Sequence, residues 1–343
     1  MKPNHKGKKM KRMTHSMTRT FPIPIIFMIC LVGMSAQAAT TQERKQPQTF
    51  HDCQGCSEMV VIPAGSFPMG VKNSPYSTPG SALATIQSER NLHQVSVNQF
   101  AIGKTEVTQG QWRAVMGNNP SYFNKCGDSC PVEKVSWDDA QLFIQKLNAI
   151  TGKQYRLPSE SEWEYACRAG KDDEDFCGSD VVGDVAWFSR NSSGSTHPAS
   201  VLHANAWGLY DMSGNVMEWV EDSWHKSFSG APVDGSAWQG DGAYRVVRGG
   251  ASNDSAKNVK SYSRNYYGVG SRNSSIGFRL ATSDVSSVSS DKPLPKVVST
   301  ETAKTGEKSS ATDRLKELET MRAQGLITDS EYQQKRKQIL DNF

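Results

Sequence analysis

The residues from 208 to 219 read Gly208-Leu-Tyr-Asp-Met-Ser-Gly-Asn-Val-Met-Glu-Trp219. This stretch combines the turn formers glycine and asparagine with two acids and a tryptophan. A similar mixture of Trp, Gly and Asn, with short elements, extends from Glu58 to about Ala281. Turns dominate between Trp187 and Phe278, so we expect scattered short strands and little regular structure there. The composition predicts a loop-rich domain over residues 58–281.

More regular elements are predicted before this stretch. Residues 59–67 indicate a strand, a turn and a second strand, and Val95 and Val97 alternate with polar neighbours in a third. Hydroxyl side chains precede each amphipathic run, which is typical of helix N-caps. Three helices are therefore predicted: one from Thr108 to Gly117, one from Ser136 to Gly152, and a short one after Ser159 with Glu162 completing a capping box.

Six segments together resemble the sulfatase-modifying-factor family, of the formylglycine-generating-enzyme type. They occur in the family's order and at plausible spacings over about residues 58–281. The resemblance implies an α+β fold of the irregular C-type-lectin-like kind with few regular elements. The segments are Lys104–Trp112, Pro131–Ala140, Arg156–Ala166, Gly208–Trp219, Arg248–Gly250 and Gly277–Arg279.

The same resemblance implies a structural Ca²⁺ ion. The family's metal site transfers to the side chains of Asp211 and Glu218 and to the carbonyl oxygens of Gly214 and Val216. Oxygen ligands of these kinds suit a hard cation. The alternative is that both acids are exposed turn residues or helix caps.

The chain departs from the family's oxidases at their catalytic centre. Those enzymes bind copper through two cysteines shortly after the Arg-Gly-Gly motif, and soft thiolates select Cu(I). The first of these cysteines would fall near Asp254, a valine stands in place of the second, and no cysteine follows Cys177. Copper binding and formylglycine generation are therefore disfavoured, and we expect no catalytic residues. His197 and His203 show no partner spacing and are expected to be loop or packing residues.

A polar segment between the Arg-Gly-Gly and Gly-Phe-Arg motifs is the candidate binding surface. Of the 24 residues from Ser252 to Ser275, 17 are Ser, Asn, Tyr, Gly or Asp. Tyrosine with these small polar residues is typical of binding loops. The segment also resembles the variable region of retroelement-diversified proteins, while an ordinary polar loop is the third possibility. The candidate ligand-binding residues are Asn253, Asp254, Tyr262, Arg264, Tyr266, Tyr267 and Arg272.

The first 38 residues predict a cleavable signal peptide. Seven Lys or Arg and no acid precede or flank an apolar run from Phe21 to Met34, and Ala36-Gln-Ala38 follows. We expect cleavage after Ala38 and a bacterial periplasmic or secreted protein without a membrane span; an uncleaved anchor is the alternative. The remaining chain has 32 basic and 35 acidic residues, about −3, which argues against nucleic-acid binding.

Cysteine usage agrees with export. Residues 39–57 are expected to form a flexible segment that contains a cysteine pair. Outside the leader the six cysteines allow 15 connectivities, of which bridging between neighbours is the simplest. A redox role for the first pair is the alternative. The neighbouring pairs are Cys53 and Cys56, Cys126 and Cys130, and Cys167 and Cys177.

The carboxyl-terminal part changes character twice. Residues 282–312 contain no aromatic residue and are rich in Ser, Thr and Lys, which predicts a disordered linker. Residues 313–343 predict two helices joined near Gly325 and resemble the short C-terminal domain called SHOCT. Because helices this short are marginal alone, the hairpin is expected to self-associate or bind a partner.

The function expected from the sequence is binding. The domain would engage a protein or peptide partner through the cleft near residues 252–275. A formylglycine-generating oxidase, a diversified display protein and an envelope assembly factor are the alternatives.

Overall fold

The computed structural model describes residues 47–71 and 92–285, with several helical positions between 315 and 340. The predicted signal peptide, 1–38, and residues 286–312 of the predicted linker lie outside the described residues. Within the described part, no helix has the length and apolar character needed to cross a membrane.

Short strands make up two main sheets. The strands are β1 Thr49–Phe50, β2 Met59–Ile62, β3 Gly65–Met69, β4 His93–Val97, β5 Phe100–Gly103, β6 Tyr155–Arg156, β7 Ala186–Trp187, β8 Ser213–Gly214, β9 Met217–Ser223, β10 Tyr244–Arg248, β11 Arg264–Gly268, β12 Ile276–Phe278 and β13 Ala281–Thr282. The first sheet has five strands in the order β1-β2-β5-β13-β6, and the second has four in the order β11-β10-β9-β12.

The second sheet contains the short strands that were expected after Trp187, and the sequence did not predict that they form one sheet. Strand β9 is seven residues long and pairs antiparallel with β10 and parallel with β12. The positions of these strands were not predicted because they do not alternate simply between apolar and polar residues. Glu218, Arg248 and Arg264 are all buried, in ion pairs that the one-dimensional pattern does not reveal.

The three predicted helices are confirmed together with their caps. Helices α1 Gln109–Met116, α2 Trp137–Thr151 and α3 Glu160–Arg168 each begin with a complete capping box, and α4 Val182–Val185 is one short turn. Gly117 and Gly152 end the first two in the left-handed conformation that glycine adopts without penalty.

Two apolar cores flank the sheets. In the first, the rings of Trp112 and Phe143 stack at 5.4 Å, and Phe278 meets both rings edge-on. In the second, Trp163 is completely buried beneath β9 and β10. The helices α1 and α2 supply the first core and α3 the second, so the central strands are covered by helices from different parts of the chain.

Three disulfides have the predicted neighbouring connectivity. The bonds join Cys53 to Cys56, Cys126 to Cys130, and Cys167 to Cys177. Each closes a short loop of the domain. Disulfides are typical of oxidising compartments, which places such a domain outside the cytoplasm.

The domain begins earlier than residue 58. Strand β1 pairs with β2, Cys53 and Cys56 are 5% and 6% exposed, and the Tyr155 hydroxyl donates to Asp52 at 2.5 Å. The described part of the segment predicted to be flexible is therefore packed against the domain through the pairing with β2 and the contact with Tyr155. Thr282, assigned to the linker, likewise pairs in β13.

The described positions of the carboxyl-terminal segment are helical, as predicted. Leu318 and Tyr332 are buried in one small cluster with Ile339, and Arg322 lies over the Tyr332 ring at 4.8 Å. These contacts join the two halves of the predicted hairpin. The predicted turn near Gly325 lies outside the described residues.

Candidate functional site

The predicted metal segment is a tight turn that leads into β9. Asp211 and Asn215 adopt the left-handed backbone conformation, with φ of 56° and 59°. Gly214 is also left-handed, and a Cβ there would lie 2.2 Å from the Trp187 carbonyl oxygen. Glycine is therefore required where the turn passes β7. The turn brings Asp211 and Glu218 into the interior, which rules out the alternative that they are exposed turn residues.

Of these two acids, Glu218 accepts more hydrogen bonds. Arg279 donates to its carboxylate from Nε and Nη2, both at 2.6 Å, and the indole Nε1 of Trp163 donates at 2.7 Å. Arg279 and Trp163 belong to two of the motifs quoted above. The motifs therefore converge on one buried carboxylate.

A third carboxylate, Glu106, joins this group and was missed by the sequence analysis. It is fully buried, and neither of its side-chain oxygens has a hydrogen-bond partner. Asp211 accepts from the Ser200 amide at 2.7 Å through Oδ2, while its buried Oδ1 is also unsatisfied. Glu106 lies in the Lys104–Trp112 motif between Thr105 and Val107, and this local pattern does not indicate that its partners lie about 100 residues away.

Two of the three carboxylates, Glu106 and Asp211, have raised pKa values. Burial raises the pKa of Glu106 well above its usual range, and the negative charges of Asp211 and Glu218 raise it further. Burial also raises the pKa of Asp211 to about 6, although Ser200 and Arg279 oppose the shift. We call Glu106, Asp211, Glu218 and Arg279 the acidic cluster, because three carboxylates share one guanidinium.

The donor set of the acidic cluster suits a hard cation. Its unsatisfied atoms are all carboxylate oxygens, the ligand type that Ca²⁺ prefers. In the described part of the chain, no three His, Cys, Asp or Glu side chains converge closely enough to hold a metal ion by themselves. Backbone carbonyl oxygens, such as those of Gly214 and Val216, would have to complete the coordination.

A second group of buried charges lies under β10 and β11, and we call it the paired cluster. Arg248 donates to Glu164 at 2.7 Å, and Arg264 donates to both oxygens of Glu160 at 2.7 and 2.5 Å. Arg168 adds a second contact to Glu164 at 2.9 Å. In this cluster, three guanidinium groups form ion pairs with two glutamates.

This arrangement corrects part of the predicted ligand-binding set. Arg264 has no exposed side-chain surface, and Tyr262 is 7% exposed, with Lys260 above its ring. Their neighbours are typical of binding loops and therefore predict surface positions, but their side chains point into the domain. They stabilise the loop and do not present a surface to a partner.

The other predicted residues lie at or near the surface. Asn253 is exposed and accepts from the Ser275 hydroxyl at 3.0 Å. Tyr266 is 36% exposed, Tyr267 is half-buried, and Arg272 is exposed while donating twice to Asp139 at 2.7 Å. Asp254 is half-buried.

An exposed aromatic group surrounds Tyr266. Its ring stacks on Trp224 with a centroid distance of 4.4 Å, and Tyr244 meets it edge-on at 5.5 Å. Tyr244 is 51% exposed. The sequence did not predict Trp224 or Tyr244, since both lie outside the 252–275 stretch. Tyr244 reaches Tyr266 through the pairing of β10 with β11, and Trp224, which directly follows β9, donates its amide to the Tyr244 carbonyl.

The positions that hold copper in the family's oxidases have structural roles here. Asp254 accepts from the Ala251 amide at 3.0 Å and from the Asn258 side chain at 3.1 Å, which closes the turn after Arg-Gly-Gly. Val259 is completely buried in an apolar cluster with Phe176 and Phe188. All six cysteines among the described residues are in disulfides. This residue set does not fit a Cu(I) centre.

His197 is a packing residue. Its ring stacks on Trp187 at 3.8 Å, and its Nε2 lies 2.9 Å from the Ser192 carbonyl oxygen.

The fold and the convergence of two family motifs on Glu218 define an irregular α+β domain of the C-type-lectin-like, sulfatase-modifying class. The family described as the sulfatase-modifying factor enzyme 1-like domain matches residues 45–284, and the chain belongs to that family. The short C-terminal domain family, SHOCT, matches residues 313–340.

Named relatives span several activities. The chaperone protein LppX of Paenibacillus barcinonensis is 33% identical over 43% of this chain and 70% of its own length. The formylglycine-generating enzyme of Mus musculus is 30% identical over 42% of this chain. The chain spans 41% of that enzyme and 38% of a Chlamydia caviae protein named serine/threonine-protein kinase pkn1, so it covers less than half of either.

Two solved structures resemble the domain over nearly their whole length. Treponema denticola variable protein 1 has a TM-score of 0.58 and 29% identity, and the similarity covers 69% of this chain and 98% of that one. PvdO from Pseudomonas aeruginosa has a TM-score of 0.58 and 32% identity, and the similarity covers 70% and 99% of the two chains.

Proposed function

We propose that this protein is a non-oxidase member of its family that binds a protein or peptide partner through the surface near residues 252–275. One observation carries the proposal: the positions of the copper ligands are built into the fold as a turn-closing Asp254 and a buried Val259. The remaining surface is rich in tyrosine and small polar residues, which suits binding. The naming of one relative as a chaperone agrees with a protein-binding role.

Crosslinking in the native host tests the binding surface. A photoreactive phenylalanine analogue would replace Tyr267, and crosslinked partners would be identified by mass spectrometry. The matched control replaces Val233, which is 60% exposed in another loop. A partner captured at Tyr267 and absent at Val233 supports the proposal. Equal capture at both positions, or none at Tyr267, contradicts it.

An oxidase assay tests the main alternative. The purified protein would receive copper, a reductant and a sulfatase-type Cys-x-Pro-x-Arg peptide, with formylglycine read by mass spectrometry. We expect no conversion above a control without protein. Conversion would require an oxygen-activating centre that does not use the positions of Asp254 and Val259.

A display role is the second candidate. The variable protein of Treponema denticola has the same fold, and this chain carries an Asn-, Ser- and Tyr-rich segment at 252–275. Diversification would leave a near-repeat of the codons for this segment beside a reverse transcriptase gene. Sequencing of the locus tests this role directly.

The acidic cluster is proposed as a structural Ca²⁺ site. Asp211 and Glu218 would supply side-chain oxygens, Gly214 and Val216 would supply carbonyls, and Glu106 would add negative charge. A bound cation would compensate carboxylates that Arg279 alone does not balance. The ion would hold the turn into β9 in place.

Export and self-association complete the proposal. Three disulfides and the predicted leader together support a periplasmic or secreted location. The carboxyl-terminal hairpin is proposed to pair with a second copy, because a two-helix hairpin buries little surface alone. Light scattering of the protein with and without residues 313–343 tests this pairing. We expect the full chain to be a dimer and the truncated chain a monomer, and the same oligomeric state for both would contradict the proposal.

A further inference from the structure

Strand β11 forms one edge of the four-stranded sheet. It pairs with β10 along its whole length, from Arg264 opposite Arg248 to Gly268 opposite Tyr244, and it is last in the strand order. Its residues Asn265 and Tyr266 are exposed. The strand lies in the 252–275 segment, so this edge belongs to the surface proposed to bind a partner.

The backbone of Tyr266 faces away from the sheet. Its amide donates to the side-chain Oδ1 of Asn265 at 2.8 Å and so does not pair with β10. In an antiparallel ladder, hydrogen-bonded and non-hydrogen-bonded pairs alternate, and both backbone groups of a non-bonded residue point outward. The Tyr266 amide and carbonyl therefore point to the open edge. Tyr244, two pairs along, fits the same alternation because its carbonyl accepts from Trp224 on the β9 side.

Aromatic rings stand on both sides of this edge. Successive side chains of a strand point to opposite faces, so Tyr266 and Tyr267 lie on different faces of the sheet. Tyr266 belongs to the stack with Trp224 and Tyr244, and Tyr267 lies 6.4 Å from Trp219 on the other face. A strand added to β11 would find an aromatic contact for side chains on each of its own faces.

We propose that β11 receives an extended peptide segment of the partner as an additional strand. The occupant is an extended backbone because the edge offers an outward amide and carbonyl on the same residue, the pattern that another strand satisfies. The inference rests on the proposed binding function and specifies the form of the partner at that surface. The partner's recognised segment is unfolded or forms an open edge itself.

Asn265 regulates access to the edge. Its side-chain oxygen occupies the Tyr266 amide in the unbound protein, which also protects an open edge from unwanted pairing. A peptide carbonyl must displace it. Removal of this internal competitor is therefore expected to strengthen peptide binding, an unusual direction for the loss of an exposed polar residue at a binding surface.

The test begins with selection of linear peptides. A phage-displayed library of random peptides of about 12 residues, long enough for one strand, is selected against the purified protein, and affinities of enriched peptides are measured by fluorescence anisotropy. Peptides with single N-methyl groups then report on the backbone. Methylation is expected to abolish binding at every second residue only, since alternate amides of an added strand face β11.

Matched variants of the protein identify the edge. Tyr266→Pro removes the outward amide and is tolerated on an edge because that amide does not pair with β10. Tyr266→Ala removes the ring and keeps the amide. We expect Tyr266→Pro to bind about tenfold more weakly than Tyr266→Ala, and Asn265→Ala to bind a few-fold more tightly than the wild type. Asn265→Ala keeps the test valid if the proline variant unfolds.

Each result decides the proposal. Equal affinities of the Pro and Ala variants, with no tightening by Asn265→Ala, would overturn it, as would N-methyl effects without a two-residue period or a library without enriched peptides. If a partner is crosslinked at Tyr267 but these results are negative, the proposed binding function stands and strand addition at β11 is wrong. If peptides bind to β11 but no partner is crosslinked, strand addition stands and the proposed binding function in the cell is wrong.

Discussion

The two buried charge clusters both contain buried carboxylates, but the charges that surround these carboxylates differ. Glu164 in the paired cluster and Glu106 in the acidic cluster are both completely buried glutamates. Although burial raises the pKa of Glu164, the charges of Arg168 and Arg248 outweigh it, and the net shift is downward. Burial raises the pKa of Glu106, and its acidic neighbours raise it further. The charges of the surrounding residues, and not the extent of burial, therefore decide which of the two glutamates stays ionised.

This difference indicates where the fold is complete and where it needs something more. The paired cluster satisfies its carboxylates with guanidinium groups and backbone amides. The acidic cluster leaves oxygens of Glu106 and Asp211 without partners. Such groups are expensive unless they are protonated or bind a cation. The first cluster is a self-sufficient support for the sheet, and the second is open to a cation.

The largest effect is expected from breaking the paired cluster. Arg248→Met removes one of the two arginines that bind Glu164 and the donor to the Ser261 carbonyl at 2.9 Å. Removal of one member of a buried ion pair costs about 3–5 kcal/mol, and here Glu164 stays completely buried with only Arg168 and the Gly70 amide to bind it. Urea unfolding measures the change. Addition of Ca²⁺ should not restore the loss, and a rescue by Ca²⁺ would show that the two clusters are not separate.

Cation binding at the acidic cluster should give the next largest effect. Ca²⁺ at about 100 times its Kd would stabilise the folded state by about 2.7 kcal/mol. Asp211→Asn should remove most of this gain, since it replaces one of the ligating carboxylates. Thermal unfolding with Ca²⁺ and with a chelator measures both. Exposed Asp234→Asn is the matched control and should respond to Ca²⁺ as the wild type does.

The sequence predicted best what depends on neighbours along the chain. Ser136 and Asp139 are three residues apart and form the capping box as expected, because capping geometry is local. The disulfides also join cysteines at most ten residues apart. The resemblance to the family grouped Asp211 with Glu218, and both side chains are buried. The Ca²⁺ site assigned to them stays a prediction.

The same reasoning failed where contacts depend on topology. Glu106 meets Asp211 only because β5 and the turn before β9 come together, and no local pattern encodes that contact. Arg264 was assigned to a binding surface because of its neighbours, yet it forms an ion pair with Glu160, 104 positions earlier. In a domain held by buried charges, an arginine does not indicate a surface residue.

The pH dependence should separate the clusters further. Asp211 has a pKa raised to about 6, above its value in the unfolded chain, so the folded state binds the extra proton. Its contribution to stability is therefore lost as pH rises from about 4 through about 6. Ca²⁺ competes with that proton, so the gain in Tm from Ca²⁺ should be larger at about pH 7.5 than at about pH 5.

Calorimetry at the two pH values measures this dependence. Burial also raises the pKa of Asp222 to about 7, and the charge of Glu160 in the paired region raises it further, although two backbone amides that donate to Asp222 oppose the shift. Asp222 lowers stability over a similar pH range without involving Ca²⁺. Asp211→Asn should therefore remove the pH dependence of the Ca²⁺ effect while the part due to Asp222 persists. A Ca²⁺ gain that is independent of pH would contradict the assignment.

The smallest effect is expected at an ion pair with better geometry than some buried ones. Arg272 donates to both oxygens of Asp139 at 2.7 Å, whereas the contact of Arg248 with Glu160 is 3.3 Å. The Arg272 side chain is 54% exposed, and water and salt replace much of its interaction. Arg272→Ala should therefore cost less than about 1 kcal/mol in urea unfolding.

The role of Asp139 strengthens that expectation. Its Oδ2 accepts from the Ser136 amide at 2.9 Å, so the carboxylate keeps its capping bond and its contact with solvent when the arginine is removed. Glu164 is completely buried, so water cannot replace Arg248 when that arginine is removed, and only Arg168 and the Gly70 amide remain as partners. A loss at Arg272→Ala as large as that at Arg248→Met would mean that hydrogen-bond geometry outweighs burial. The contrast between the clusters would then have to be explained by distances and not by access to solvent.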